Sequence, residues 1–180
     1  MALNVDLSVL RHMPGKIQEL DLLTDGLDGL EHGVFLHQPL HLIGRLLGGD
    51  RKVVLEGRIE TVVETVCDRC LSPVRYPLEF NFSEKLVSAH DAQVLIEHGA
   101  NVDQVETEYW IYEDSPLDLN YLLANVIMTK LPLQHLCRED CKGLCPHCGA
   151  NLNDGACQCE NLEIDPRWAI LAQLEDDEEV

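Results

Sequence analysis

The sequence specifies an α+β chain: an antiparallel, partly barrelled β-sheet, one helix that covers it, and a C-terminal cysteine-rich knuckle. Two long runs in which apolar and polar residues alternate, around 51–66 and 74–83, require paired strands with one dry face. Leu119, Leu122, Leu123, Val126 and Ile127 recur at spacings of three and four, the stripe of a helix lying on a sheet. Six of the eight cysteines fall within residues 137–159, which points to a small unit held by its thiols.

Taken in order, Leu3, Val5, Leu7 and Val9 alternate with polar neighbours and predict a half-buried strand. Residues 24–33, rich in Gly and Asp, predict a loop. Pro39 and Gly44 interrupt the apolar stretch from Val34 to Leu47, so an edge or bent strand is expected there, closed by a turn at Gly48-Gly49-Asp50. In the next strand Val53, Leu55, Ile59 and Val63 share one face, and Glu56, Arg58, Glu60 and Glu64 take the other. Val74, Tyr76, Leu78, Phe80 and Phe82 form the dry face of its partner, so Cys67-Asp68-Arg69-Cys70 sits at the tip of a hairpin. Residues 88–108 are expected as a polar, mobile connection and Tyr109–Tyr112 as a short strand. Ser115, Pro116 and Asp118 carry the residue types of a helix start, and Pro132 ends that helix. Asp165-Pro166 opens a short apolar helix with Trp168, Leu171 and Leu174 on one face, before an acidic tail. The chain thus divides into a β-rich unit with its covering helix (residues 1–135), a knuckle (136–160), and a docking helix with the tail (161–180).

The thiols carry the chemistry. Cys145-Pro146-His147-Cys148-Gly149 has the form of a zinc knuckle, with two sulfurs aimed at one ion and a glycine that lets the backbone turn toward them. Cys157 and Cys159 can complete a tetrahedral set, which leaves Cys67, Cys70, Cys137 and Cys141 for a second ion that pins the hairpin tip to the C-terminal segment. His135 and His147 are expected as bystanders, because eight thiols already suffice. Disulfides require an oxidising compartment, and an iron–sulfur cluster can use the same ligands, although the spacing is not a common ferredoxin run. Structural zinc is the expectation, and with no thiol left over a catalytic metal is not expected.

Composition narrows the function. The net charge of −19 disfavours broad binding to phosphate backbones and suits a basic partner. One region differs: Arg45, Arg51, Lys52, Arg58, Arg69 and Arg75 are six cations against five acids, and Arg69 and Arg75 at the hairpin tip are candidate contacts for RNA phosphates or another partner. Cross-strand ion pairs are the competing use of these arginines. No nucleophile–base pair, phosphate loop or acid–base set stands out, so neither an enzyme nor a small-molecule substrate is expected. No stretch reaches the roughly 20 apolar residues of a spanning helix, so no membrane partner and a cytoplasmic location are expected.

The ordered signatures resemble the YceD family, the large ribosomal RNA subunit accumulation proteins of bacteria and plastids. They are Cys-x-Arg-Cys between long strands, a Leu-Asp-Leu helix ending in Leu-Pro, Cys-Lys-Gly-Leu-Cys-Pro-x-Cys-Gly-x-Asn-Leu-Asn, Cys-x-Cys, and Asp-Pro-Arg-Trp-Ala-x-Leu, spread over residues 30–174. Ala124, Asn125 and Val126 stand where relatives often carry carboxylates. Some relatives lack the C-terminal cysteines, so zinc is not the whole function. The resemblance implies a role in 23S ribosomal RNA maturation and large-subunit assembly. Three classes are carried forward: an assembly factor on the pre-50S particle or its 23S RNA, an adaptor or holding chaperone for a basic ribosomal protein, and a thiol redox or metal-transfer protein.

Overall fold

The computed structural model describes residues 3–113 and 116–159. The chain opens with a two-residue strand β1 (Asn4–Val5), then a single 3-10 turn (Leu10–His12). The expected strand over 3–9 stops early because Asp6 Oδ1 accepts the Ser8 amide at 2.9 Å and turns the backbone. Leu7 and Leu10 then enter the core and Val9 is left in solvent. Strand β2 (Ile17–Thr24) follows, in a stretch whose pattern does not announce it. Pro39 cannot donate to a ladder, and the Val34–Leu47 segment divides there into β3 (Phe35–Leu36) and β4 (Leu40–Gly48).

Strands β5 (Val53–Val66) and β6 (Pro73–Ser88) form the long hairpin, paired antiparallel from Val53↔Leu86 to Val66↔Pro73. The described residues then give α1 (Ala89–Glu97), α2 (Val102–Glu108), β7 (Trp110–Tyr112), β8 (Leu117–Asp118) and α3 (Asn120–Met128). Among the described residues the strand order β2-β4-β5-β6-β7, with β3 also on β5, is open: β2 pairs only with β4 and β7 only with β6. The expected partial barrel is therefore absent, since its two edge strands never meet. Nor is the sheet wholly antiparallel, because β6 and β7 run parallel. Parallel neighbours need a crossover, and α1 and α2 supply it across the stretch expected as a mobile link. Ser88 accepts the Asp91 amide at 3.1 Å and caps α1, a Ser-x-x-Asp signal hidden in a polar composition.

The covering helix also starts later than its residue types suggest. Leu117–Asp118 pairs with Val5 and Asn4, so that backbone belongs to a strand, and α3 begins at Asn120, whose amide donates to Asp118 Oδ1 at 3.0 Å. Ser115, the expected cap, lies outside the described residues, as do the helix expected after Asp165 and the acidic tail. Leu119, Leu122, Leu123, Val126 and Ile127 are buried against Leu40, Leu42, Leu46, Leu55, Ile59 and Val63 of the sheet, as expected. Each such side chain contributes about 1.5–3 kcal/mol by leaving water. The other sheet face carries paired charges, among them Arg45–Glu56 at 2.9 Å and Arg58–Glu79.

Gly44 and Gly57 lie directly opposite each other in β4 and β5. A Cβ on Gly44 would come within 2.5 Å of the Glu56 carbonyl oxygen and 2.9 Å of the Gly57 Cα, both backbone atoms that cannot rotate aside. Gly44→Ala is therefore expected to destabilise the chain by more than about 2 kcal/mol in urea unfolding, with the exposed neighbour change Ile43→Ala shifting it by less than about 1 kcal/mol.

Candidate metal centres

The two Cys-x-x-Cys segments fold alike although one is a hairpin tip and the other a loop. In the first, the Leu71 amide donates to the Cys67 carbonyl at 2.9 Å and the Cys67 amide to the Ser72 carbonyl at 2.8 Å. In the second, the Gly149 amide donates to Cys145 at 2.9 Å and the Cys145 amide to Ala150 at 2.8 Å. The residue after each second cysteine is left-handed, Leu71 at φ 60° and Gly149 at φ 71°. Glycine reaches that region freely, whereas a leucine pays about 1–2 kcal/mol, which is why only the second knuckle shows the motif in its sequence.

Each knuckle is completed by two more thiols. Cys67, Cys70, Cys137 and Cys141 form one group and Cys145, Cys148, Cys157 and Cys159 the other, with the sulfurs of a group all within 4.8 Å of one another. This is the grouping expected from the spacing. Cys67 and Cys141 sulfurs are 3.8 Å apart and those of Cys70 and Cys137 3.6 Å. Metal–sulfur bonds of about 2.3 Å in a tetrahedron separate sulfurs by about 3.8 Å, so the thiols are spaced to hold one ion rather than to bond each other. All eight cysteines are free. His135 and His147 belong to neither group.

The first group joins segments far apart in sequence. The Asp68 amide donates to the His135 carbonyl at 2.8 Å, and the His135 amide returns to Asp68 Oδ2 at 2.6 Å. Arg69 Nη1 donates to the Cys141 carbonyl at 2.9 Å, and its own carbonyl accepts the Leu144 amide at 3.2 Å. Asn153 links the groups: its side-chain amide donates to Cys141 Sγ at 3.3 Å and its oxygen accepts the Lys142 amide at 2.9 Å. Sequence reading passed over Asn153 and Asp68, although Asn-Leu-Asn beside the knuckle and a carboxylate inside Cys-x-x-Cys are where hydrogen bonds to a thiolate site belong.

Residues 55–175 match the family model described as large ribosomal RNA subunit accumulation protein YceD. The chain belongs to the YceD family. An uncharacterized protein of Mycobacterium tuberculosis is 28% identical over 187 residues, covering 96% of this chain and 81% of that protein. A protein of Arabidopsis thaliana named large ribosomal RNA subunit accumulation protein YCED homolog 1, chloroplastic, is 26% identical over 155 residues, 76% of this chain and 48% of the relative. The same name is borne by a Zea mays protein, 26% identical over 131 residues, 61% of this chain and 45% of the relative. No solved structure matches. Both cysteine groups lie within the segment matched to YceD.

Of the arginines singled out at the tip, Arg69 is bonded to Cys141 as above, and Arg75 Nε lies 2.6 Å from Glu64 Oε2. The structure therefore places Arg69 in the framework of the first thiol group and Arg75 in a cross-strand ion pair. Neither is brought into the other's neighbourhood by a shared contact.

Within the groups the thiols differ. Burial works to raise Cys67, but the amides of Cys137, Cys70 and Arg69 aimed at its sulfur bring it down to about 6. The amides of Cys148 and His147 bring Cys145 to about 6 as well. Burial and the neighbouring thiols push Cys137 up to about 12, and the Cys148 thiol followed by burial pushes Cys159 to about 12. Metal and proton compete for each sulfur, so binding an ion near neutrality expels protons held by the high members and affinity rises with pH. Below about pH 6 the low members take up protons too, and affinity falls more steeply. Competition with a chromophoric chelator from about pH 5 to 8 is expected to show about tenfold weaker binding per pH unit for each proton expelled, and a flat profile would contradict thiolate ligation.

Proposed function

We propose that this protein is a non-enzymatic factor for the accumulation of large-subunit ribosomal RNA, acting in the cytoplasm on the pre-50S particle or its 23S RNA, with one structural zinc ion in each four-cysteine group. The match of residues 55–175 to the YceD family carries this reading, supported by the names of the two plant relatives. Zinc is favoured by two thiol-only sets, the sulfurs of each within 4.8 Å of one another, with no thiol to spare. Its role here is to fasten: a divalent ion displaces the protons of the high members, offsets part of the charge of the thiolates it gathers, and ties residues 137–141 to the β5–β6 tip. Arg69 and Arg75 are assigned to phosphate contact from the same tip.

A second reading, a protein adaptor that shields a basic ribosomal protein without touching RNA, is favoured by one observation. Arg69 and Arg75 already have partners within the chain, as do Arg45 and Arg58. Phosphate contact then requires these pairs to exchange partners, at little cost for exposed ones.

Purified chain is expected to carry two zinc ions, measured by elemental analysis, with Cys141→Ser and Cys148→Ser each losing one. Chelation is expected to erase hydrogen-exchange protection at Leu144 and Cys145 while leaving it at Ile59, since the thiols and the sheet core are separate clusters. One ion, or none, would overturn the two-site assignment.

Depletion of the protein in its native host is expected to lower the ratio of large- to small-subunit ribosomal RNA, read by gel or sequencing. An unchanged ratio would sink the proposal. Ultraviolet crosslinks from residues 67–75 to 23S RNA decide for direct contact, and ribosomal proteins recovered without RNA crosslinks decide for the adaptor.

A further inference from the structure

The outer edge of β2 leaves an eight-residue strand unpaired on one side among the described residues. Gly48 donates its amide to the Lys16 carbonyl at 2.8 Å, which fixes the phase of the β2–β4 ladder. Residues 18, 20, 22 and 24 therefore turn their backbone groups toward β4, and Ile17, Glu19, Asp21 and Leu23 turn amide and carbonyl outward. No turn or loop backbone hydrogen bond among the described residues ends on those outward groups. Ile17 and Leu23 are 51% and 70% exposed. By contrast β7 has three residues and β3 has two, and the outer side of β6, unpaired from Pro73 to Lys85, is blunted by Pro73, Pro77 and Lys85. Edges of β2's length are normally blunted by lysine, proline or a bulge, and none of these occurs between Ile17 and Thr24.

Charge selects the occupant. From Ile17 to Gly44 the chain has no Lys or Arg and carries Glu19, Asp21, Asp25, Asp28 and Glu31. Glu19 has no ion-pair partner among the described residues, and Asp21 holds only His41, at 2.8 Å. A second copy pairing antiparallel along this edge would set Glu19 and Asp21 against each other, and like charges directly opposite are destabilising. We infer that the β2 edge receives an extended Lys/Arg-rich polypeptide segment by strand addition. The backbone groups of Ile17, Glu19, Asp21 and Leu23 supply the ladder. Cations at alternate positions of the added strand meet Glu19 and Asp21 on the solvent face, and the intervening side chains fall on the face of Leu20 and Leu22, so the segment alternates cationic and apolar residues. This deepens the large-subunit reading by naming a class of partner, a basic protein segment, and it uses a strand outside the residues matched to the family.

The test uses the full zinc-loaded chain, isotope-labelled, with a short alternating Lys–Val peptide as probe and its Glu–Val counterpart as control. The Lys–Val peptide is expected to slow amide exchange at Ile17, Glu19, Asp21 and Leu23. Glu19→Pro removes one outward donor without touching the β4 ladder, and Glu19→Lys with Asp21→Lys reverses the charge; each is expected to weaken binding about tenfold, the second effect fading at high salt. Protection elsewhere, equal binding of the Glu–Val peptide, or concentration-dependent protection of β2 without peptide (a second copy) would each overturn the inference. Its failure is separable from that of the large-subunit reading. Peptide protection beside unchanged ribosomal RNA in depleted cells upholds the edge and removes the ribosomal role, and the opposite pair of results removes the edge alone.

Discussion

Four sulfurs from two remote parts of the chain meet at one point, and the lower half of the molecule is organised by that meeting. Cys70 and Cys137 are 67 residues apart in sequence yet 3.6 Å apart at their sulfurs. Closing so long a loop costs entropy that a few thiols cannot offset alone. The sheet absorbs most of that cost beforehand. The β5–β6 hairpin extends Cys67 and Cys70 on a continuously paired ladder, and α3, held in the core by its leucines, delivers the chain that leads to Cys137. What remains for the thiols is local: a tip, a short return segment, and hydrogen bonds between Asp68, Arg69, His135 and Cys141 that make the approach a fixed geometry.

Much of this was legible in the sequence, and the exceptions share causes. The long hairpin, the α3 stripe and the pairing of thiols into two groups rest on periodicity and spacing, signals that burial and ligand geometry impose directly. Strand β2 escaped because Ile17–Thr24 is an edge strand with only Leu20 and Thr24 buried, so no period of two is enforced. The helices α1 and α2 escaped because their polar surface outweighs the few residues, such as Ala92 and Val105, that they bury. The barrel was a guess at closure, which depends on where edge strands end up and leaves no mark in any one strand. At the site, Cys67 and Cys70 were expected as ligands at a hairpin tip, but the knuckle form of that tip was not, since Leu71 stands where glycine would have declared the left-handed backbone.

The cationic residues teach a related lesson about charge. Read along the chain, Arg45, Arg58, Arg69 and Arg75 look like a patch. In space each faces an acid or a carbonyl of the same sheet or tip. A strongly acidic protein uses its few cations first to keep its own carboxylates apart, which leaves the surface as a whole an attractor for positive charge.

The thiol-bearing tip and the leucine core are distinct clusters with no buried residue in common. In evolutionary terms that separation makes the thiol end a detachable clasp. A lineage that loses its cysteines forfeits the fastening of the return segment and nothing in the layer of sheet and helix above it. Selection can then alter or discard the thiol groups without renegotiating the fold.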